Sequence, residues 1–288
     1  MKKQSLFIYL FFLGVILLTS CSPEVDNYPS VTGKVDPSSI EKANLVGYFP
    51  FESSAYSTIR SYGIDSSKVT LGANSSFVLG QRGYSFLGDT TKSYIQYKLL
   101  ASSVFQNLKE FTISSWVKIP EATDSRIAQI IMINGGDTIS GTGSISISVD
   151  QSYLKGTVFS DSIKIQSHEL KVDRSLIKTN EWAHIAFTYN KTTSTLGLYA
   201  NGNLLKEDIC YANQDSTPNI KMGNLNLSRL KLTGLFIGAW AQQVLGTATS
   251  SMRYFSGNID EMRIWNIGLS KEEISSLYQA ELAQARNK

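Results

Sequence analysis

The chain has 288 residues, which suits two ordinary domains or one large all-β sandwich of roughly 200–250 residues with extensions. Hydrophobic residues make up 42% and charged residues 18%, which excludes a disordered chain and a coiled coil rich in Ala, Glu, Lys and Leu. The formal charge is +3, with Lys2 and Lys3 supplying two of the positive charges, so there is no basic field to draw nucleic acid and no acidic one to draw a cationic partner.

The N-terminus reads as an address. Lys2 and Lys3 precede an apolar run from Leu6 to Leu18, too short for the roughly 20 residues of a spanning helix and of signal-peptide length. The run ends Leu18-Thr19-Ser20-Cys21. These four residues resemble the bacterial lipobox, which implies a signal peptide over 1–20 and acylation of Cys21 as the new N-terminus. More than one acyl chain holds a protein stably on a bilayer. The implied location is the bacterial cell envelope, at the outer membrane or cell surface, with the lipid as the only membrane contact. Residues 21–40 hold three of the six prolines and little hydrophobic pattern, so they read as a tether. Cys210 is then left without a disulfide partner and reads as a buried or half-buried free thiol.

From 41 to 288 the chain reads as one domain. Phe111, Ile113, Ser115 and Val117 share one face of a strand, and Thr112, Ser114, Trp116 and Lys118 share the other. Ala183, Ile185, Phe187 and Tyr189 alternate with Trp182, His184, Ala186 and Thr188, and Ile145, Ile147 and Val149 alternate with serines. Such alternation predicts strands packed on one face. Asn201-Gly202 between apolar runs predicts a type I′ hairpin. Near the C-terminus, Ser270 and Glu273 form a capping-box pattern ahead of Ile274, Leu277 and Tyr278, which predicts a helix over 270–284.

Six segments occur in order: Leu45–Glu52, Gly83–Asp89 ahead of Ser93–Ile95, Phe111–Val117, Glu181–Ala186, the Asn201-Gly202 turn, and Gly257–Trp265 with Leu269, Ser270, Glu273 and Ile274 behind it. Together they resemble the laminin-G-like, concanavalin A-like lectin/glucanase family over about residues 44–279. The resemblance implies an all-β fold: an antiparallel jelly-roll sandwich of two sheets with a short C-terminal helix. It also implies one structural Ca²⁺, for which Asp260, Glu52, Gly88 and Asp89 stand at the matching positions.

The glucanases of that family carry a Glu-x-Asp-x-x-Glu or similar pattern, and a retaining glycosidase needs two carboxylates about 5–5.5 Å apart. No such pattern occurs in a strand. Asp260 and Glu261 are adjacent, as are Glu207 and Asp208, so alternation sends each pair to opposite faces. With His168 and His184 as the only histidines and no cysteine cluster, a catalytic metal site has little to build on. The expected function is a non-catalytic module binding a glycan or other extracellular ligand. The rivals are a structural or adhesive protein with a protein ligand, and a divergent glycan-degrading enzyme.

For ligand contacts, Trp116, His184, Glu261 and Arg263 are expected on an outward, concave sheet face, where they form either a polar-aromatic patch or a structural network. Asp260 is expected to share its face with Met262 and Ile264. Trp240, at a strand end before the polar stretch 241–251, is expected to be exposed on a rim loop. The anchor is the directly testable part: Cys21→Ser should move the protein out of the detergent phase on partitioning, and unchanged partitioning would rule out a lipid on Cys21.

Overall fold

The computed structural model describes residues 36–56, 60–61, 63–135, 145–161, 165–213, 219–227 and 230–285. The expected signal peptide over 1–20, Cys21 and the rest of the chain up to residue 35 lie outside the described residues. Along the chain run β1 (Leu45–Phe49), β2 (Arg60–Ser61), β3 (Ile64–Leu71), β4 (Ser76–Leu79), β5 (Tyr84–Leu87), β6 (Ile95–Leu99), β7 (Phe111–Lys118), β8 (Ile127–Gly135) and β9 (Ile145–Val149). They are followed by β10 (Tyr153–Asp161), β11 (Ile165–Asp173), β12 (Trp182–Asn190), β13 (Thr195–Ala200), β14 (Asn203–Ile209), β15 (Leu232–Ile237), α1 (Ala241–Leu245), β16 (Met252–Arg253), β17 (Asn258–Trp265) and α2 (Lys271–Ala285).

The strands form two sheets. The first is ordered β14-β13-β12-β7-β17-β1-β2, with the β4–β5 hairpin added beside β17, and the second β11-β10-β9-β8-β15-β6-β3. Their pairing is antiparallel except where β16 runs parallel to β8. The expected alternation accounts for the stacking. Ile113 and Val117 of β7 and Ile185 and Phe187 of β12 bury themselves in one core with Ile131, Ile145, Ile147, Leu154 and Val158 of the second sheet. This is the expected antiparallel jelly-roll sandwich, with two short helices.

Local signals are obeyed where they were strongest. Asn201 and Gly202 have φ of 49° and 77°, as a type I′ turn requires. At the start of α2 the Ser270 N–H donates to Glu273 Oε2 at 2.7 Å, and the Glu273 N–H donates to Ser270 Oγ at 3.2 Å, which closes the capping box. Cys210 is buried and unpaired, and burial pushes its thiol up to about 12.

Two expectations need correction. The domain's contacts begin before residue 41: Pro37 is buried in a 3₁₀ turn, and Ile40 packs beneath α2 and accepts a hydrogen bond from Trp265 Nε1. Residues 241–251 are not simply a polar loop. Residues 241–245 form α1, and Ala241 and Val244 give it an apolar side to lay against the second sheet.

Candidate functional site

The outer face of the first sheet does gather Trp116, His184, Glu261 and Arg263, but α2 covers them. The cause begins in β17. Asp260 lies opposite Trp116 and Arg263 opposite Ser114, so three steps along β17 match two along β7. This is a β-bulge, and Glu261 occupies it with φ of 50°. Directly paired residues share a face, so Asp260 lies on the outer side with Trp116 and Arg263. The expectation that it would share the inner side with Met262 and Ile264 fails, because the bulge breaks the two-residue period. On the inner side, Ser115 Oγ donates to the Asp260 carbonyl at 2.8 Å.

Arg263 is the centre of this face. Its Nη2 donates to Glu261 Oε2 at 2.9 Å, and its Nη1 pairs with Glu281 Oε1 from α2. Its guanidinium lies 3.9 Å from the Tyr48 ring centre. Tyr48 donates to Glu261 Oε2 at 2.7 Å, and Arg82 donates to the same oxygen at 3.2 Å. Glu281 also accepts from Trp116 Nε1 at 2.6 Å and has its Oε2 3.7 Å from His184 Nε2. Burial lowers His184 to about 3, with Arg263 adding to the effect, so its ring is neutral. Burial pushes Glu281 up to about 7, while Arg263 and the Trp116 N–H pull it down. With both donors in contact, the ionised carboxylate is the form this geometry favours at neutral pH. Four proposed ligand contacts are therefore a sealed structural network, because Glu281 arrives from 18 residues downstream of Arg263 to close it.

The four residues expected to hold calcium separate into two groups. The β4–β5 turn brings Arg82 N–H to Asp260 Oδ2 at 2.9 Å and Tyr84 N–H to Glu52 Oε2 at 3.1 Å. Burial pushes Asp260 up to about 8, with Glu261 and Glu52 adding to the rise and the N–H groups of Arg82 and Glu261 opposing it. Glu52 and Asp260 thus fit a cation, being neighbouring carboxylates with too little positive charge between them. Gly88 and Asp89 do not join them. β5 intervenes, Gly88 N–H bonds the Gly257 carbonyl, and Asp89 turns to Thr90. Among the described residues no group of three or more His, Cys, Asp or Glu could hold a metal, so backbone oxygens and water would have to supply most of calcium's 6–8 ligands.

Trp240 is not exposed. Only 6% of it is accessible; it packs on Met132 and Phe236 of the second sheet, with Ala241 beside it. Its Nε1 donates to the Ile127 carbonyl at 2.8 Å. A large aromatic with a polar tip fits a half-polar sheet face once its N–H has a partner.

An open concavity lies elsewhere, at the end of the sandwich where β10 begins and β11 ends. A cavity of about 530 Å³ is bounded by the Gln151-Ser152-Tyr153 turn, Asp173 and Arg174, and the loop after β7 at Glu121. Its volume is in the range of small-ligand sites. Asp150 shapes the turn by accepting from the N–H groups of Ser152 and Tyr153. Tyr153 keeps 38% of its surface exposed, and the ammonium groups of Lys155 and Lys171 lie 5.8 and 5.2 Å from its ring centre. Arg174 is buried and donates to the carbonyls of Ile177, Ile119 and Pro120 at 2.6, 3.2 and 3.3 Å. These residues escaped the sequence reading. The alternation of Tyr153, Lys155 and Thr157 with Leu154, Gly156 and Val158 signals a polar outer face. Nothing local marks Arg174 as a cavity wall, since its carbonyl partners come from Ile177 and from a loop more than fifty residues upstream.

The chain belongs to the concanavalin A-like lectin/glucanases superfamily, whose laminin-G family model matches residues 89–275. Among solved structures it is similar to the botulinum neurotoxin type G receptor binding domain (16% identity, TM-score 0.54, covering 82% of this chain and 51% of that one). It is also similar to the botulinum neurotoxin serotype D ligand binding domain in complex with N-acetylneuraminic acid (17%, 0.56, 84% and 52%). A third is the binding domain of botulinum neurotoxin DC in complex with rat synaptotagmin II (15%, 0.57, 84% and 52%). The chain spans about half the length of these structures, and at such identities the likeness concerns the fold. No curated protein matches the chain.

The burial of Trp240 has a measurable consequence. Trp240→Ala should cost about 3–5 kcal/mol of stability, as large core truncations do, read by denaturant unfolding. A loss under about 1 kcal/mol, typical of surface substitutions, would show that the side chain is exposed in solution.

Proposed function

We propose that this chain is a lipid-anchored, non-catalytic envelope module that binds a glycan in the Tyr153 cavity. The observation that carries this is the cavity itself: a concavity edged by an exposed tyrosine and lined by groups that donate and accept hydrogen bonds. Sugars are held by such a combination of one apolar ring face and several planar polar groups. Structural neighbours that are ligand- and receptor-binding domains support binding over chemistry. So does the placement of Asp260, Glu261 and Glu281, whose carboxyls are buried among backbone donors, arginines or the cover of α2. The anchor rests on the Leu18–Cys21 motif. On a glycan array, wild-type protein should bind a defined subset of sugars, and Tyr153→Ala should weaken that binding by about tenfold or more, the loss of roughly 1.4 kcal/mol. Retained binding in the variant would place the site elsewhere.

We also propose a structural Ca²⁺ held by Asp260 and Glu52. Without a cation, the folded Asp260 keeps its proton up to about pH 8, whereas an unfolded aspartate releases it near about pH 4. Between these values the folded state binds more protons, so stability falls as pH rises. In chelator, wild type should therefore lose melting temperature relative to Asp260→Asn between about pH 5 and about pH 8. Excess Ca²⁺ should restore wild type and leave the variant unchanged, because a ligand bound only to the native state stabilises by mass action. A wild-type melting curve indifferent to chelator would remove calcium from the account.

A further inference from the structure

Resting on the glycan-binding reading of the Tyr153 cavity, we infer that the sugar bound there is anionic, carrying a carboxylate or sulfate that meets Lys171. The argument starts from an arrangement that is unfavourable in the free protein. Lys155 and Lys171 are directly opposite one another on β10 and β11, and like charges so placed repel. Both side chains also lean over a single ring, Tyr153, with their ammonium groups 5.8 and 5.2 Å from its centre. One carboxylate answers one of the two lysines: Asp150 holds Lys155 at 2.7 Å. Lys171 forms no ion pair among the described residues.

None of the neighbouring acids forms an ion pair with Lys171 among the described residues. Asp173, two residues along β11 on the same face, uses its carboxylate to accept from the Ser175 N–H at 2.8 Å. Glu169, two residues the other way, is exposed and makes no ion pair with Lys171. Glu121, on the cavity's far wall, is also exposed. Within the wall itself Arg174 is a second cation without a carboxylate, its guanidinium bonded to three backbone carbonyls. A buried guanidinium whose bonds go only to neutral acceptors leaves its charge uncompensated.

A sugar stacked at Tyr153 with an acidic group would answer the charge of Lys171. Its ring would occupy the apolar edge, and its anion would take the charge-assisted hydrogen bond that Lys171 lacks. Lys155, already held by Asp150, orients the tyrosine rather than the ligand. Uronate and sulfate esters share this chemistry, since an ammonium is a point charge that does not select planar from tetrahedral anions.

The test uses an array carrying uronate, sulfated and neutral oligosaccharides, followed by calorimetry on an oligogalacturonate, a sulfated oligosaccharide and a carboxyl-reduced neutral counterpart. Wild type should bind at least one anionic class about tenfold more tightly than the neutral counterpart, the equivalent of one charge-assisted contact. Lys171→Gln, at an exposed strand position, should abolish that preference while keeping the wild-type melting temperature or raising it. Equal binding of neutral and anionic sugars, or an anionic preference that Lys171→Gln leaves intact, would overturn the inference and leave the glycan-binding reading standing. Failure of every sugar class to bind would overturn both.

Discussion

A guanidinium withdrawn from water costs several kcal/mol unless opposite charges and hydrogen bonds replace its hydration, and Arg263 is almost wholly withdrawn. Much of the first sheet's outer face is organised around that requirement. The bulge at Glu261 turns two acidic neighbours, Asp260 and Glu261, to the side where Arg263 points. The β4–β5 hairpin brings Arg82 to bind both of those acids at once, one through its backbone N–H and one through its guanidinium. Tyr48 offers its ring to Arg263 and its hydroxyl to Glu261. Helix α2 supplies the last charge, Glu281, and the same docking buries Leu277, Ile274 and Trp265 in a second apolar cluster. Removing any one charged partner would leave another buried without compensation, which is why such groups act as a unit.

The same sealing withdraws Trp116, His184, Glu261 and Arg263 from solvent. Where α2 roofs Trp116, His184 and Arg263, the ion network leaves no open sheet face for a sugar. On the second sheet, α1 and Trp240 cover Met132 and Phe236. The described cavity is displaced to one end, where the turn into β10 and the end of β11 meet the loop leaving β7. Loops at the ends of a sandwich can vary without disturbing the sheets that position them, so a family fold shared with neurotoxin binding domains constrains the scaffold and leaves the ligand to local chemistry.

The proposed calcium site and the ion network meet on one strand, β17. Asp260 and Glu261 are consecutive, yet Glu261 is balanced by Arg263 and Arg82, whereas Asp260 receives only N–H groups and has Glu52 nearby. Two carboxylates of the same strand therefore sit in opposite electrostatic settings. This contrast comes from which side chains the hairpin and helix deliver, not from the acids themselves.

The sequence by itself determined what depends on periodicity and turn chemistry. Strand alternation in β7, β9 and β12, the Asn201-Gly202 turn, the capping box of α2 and the sandwich class were all legible, because each arises from residues within a few positions of one another. It also brought the right side chains to one face in Trp116, His184 and Arg263. The tertiary structure decided everything that needs a distant partner. Whether that face is open or closed depends on Glu281, which the helical pattern hides on a stretch that reads as polar. The bulge that moves Asp260 off the core side is set by the register between β17 and β7, and Trp240's burial by an α1 segment that reads as a loop. The pairing of Lys155 with Lys171 over Tyr153 is a property of two strands in register, since neither lysine carries any mark of the other in its own stretch of chain.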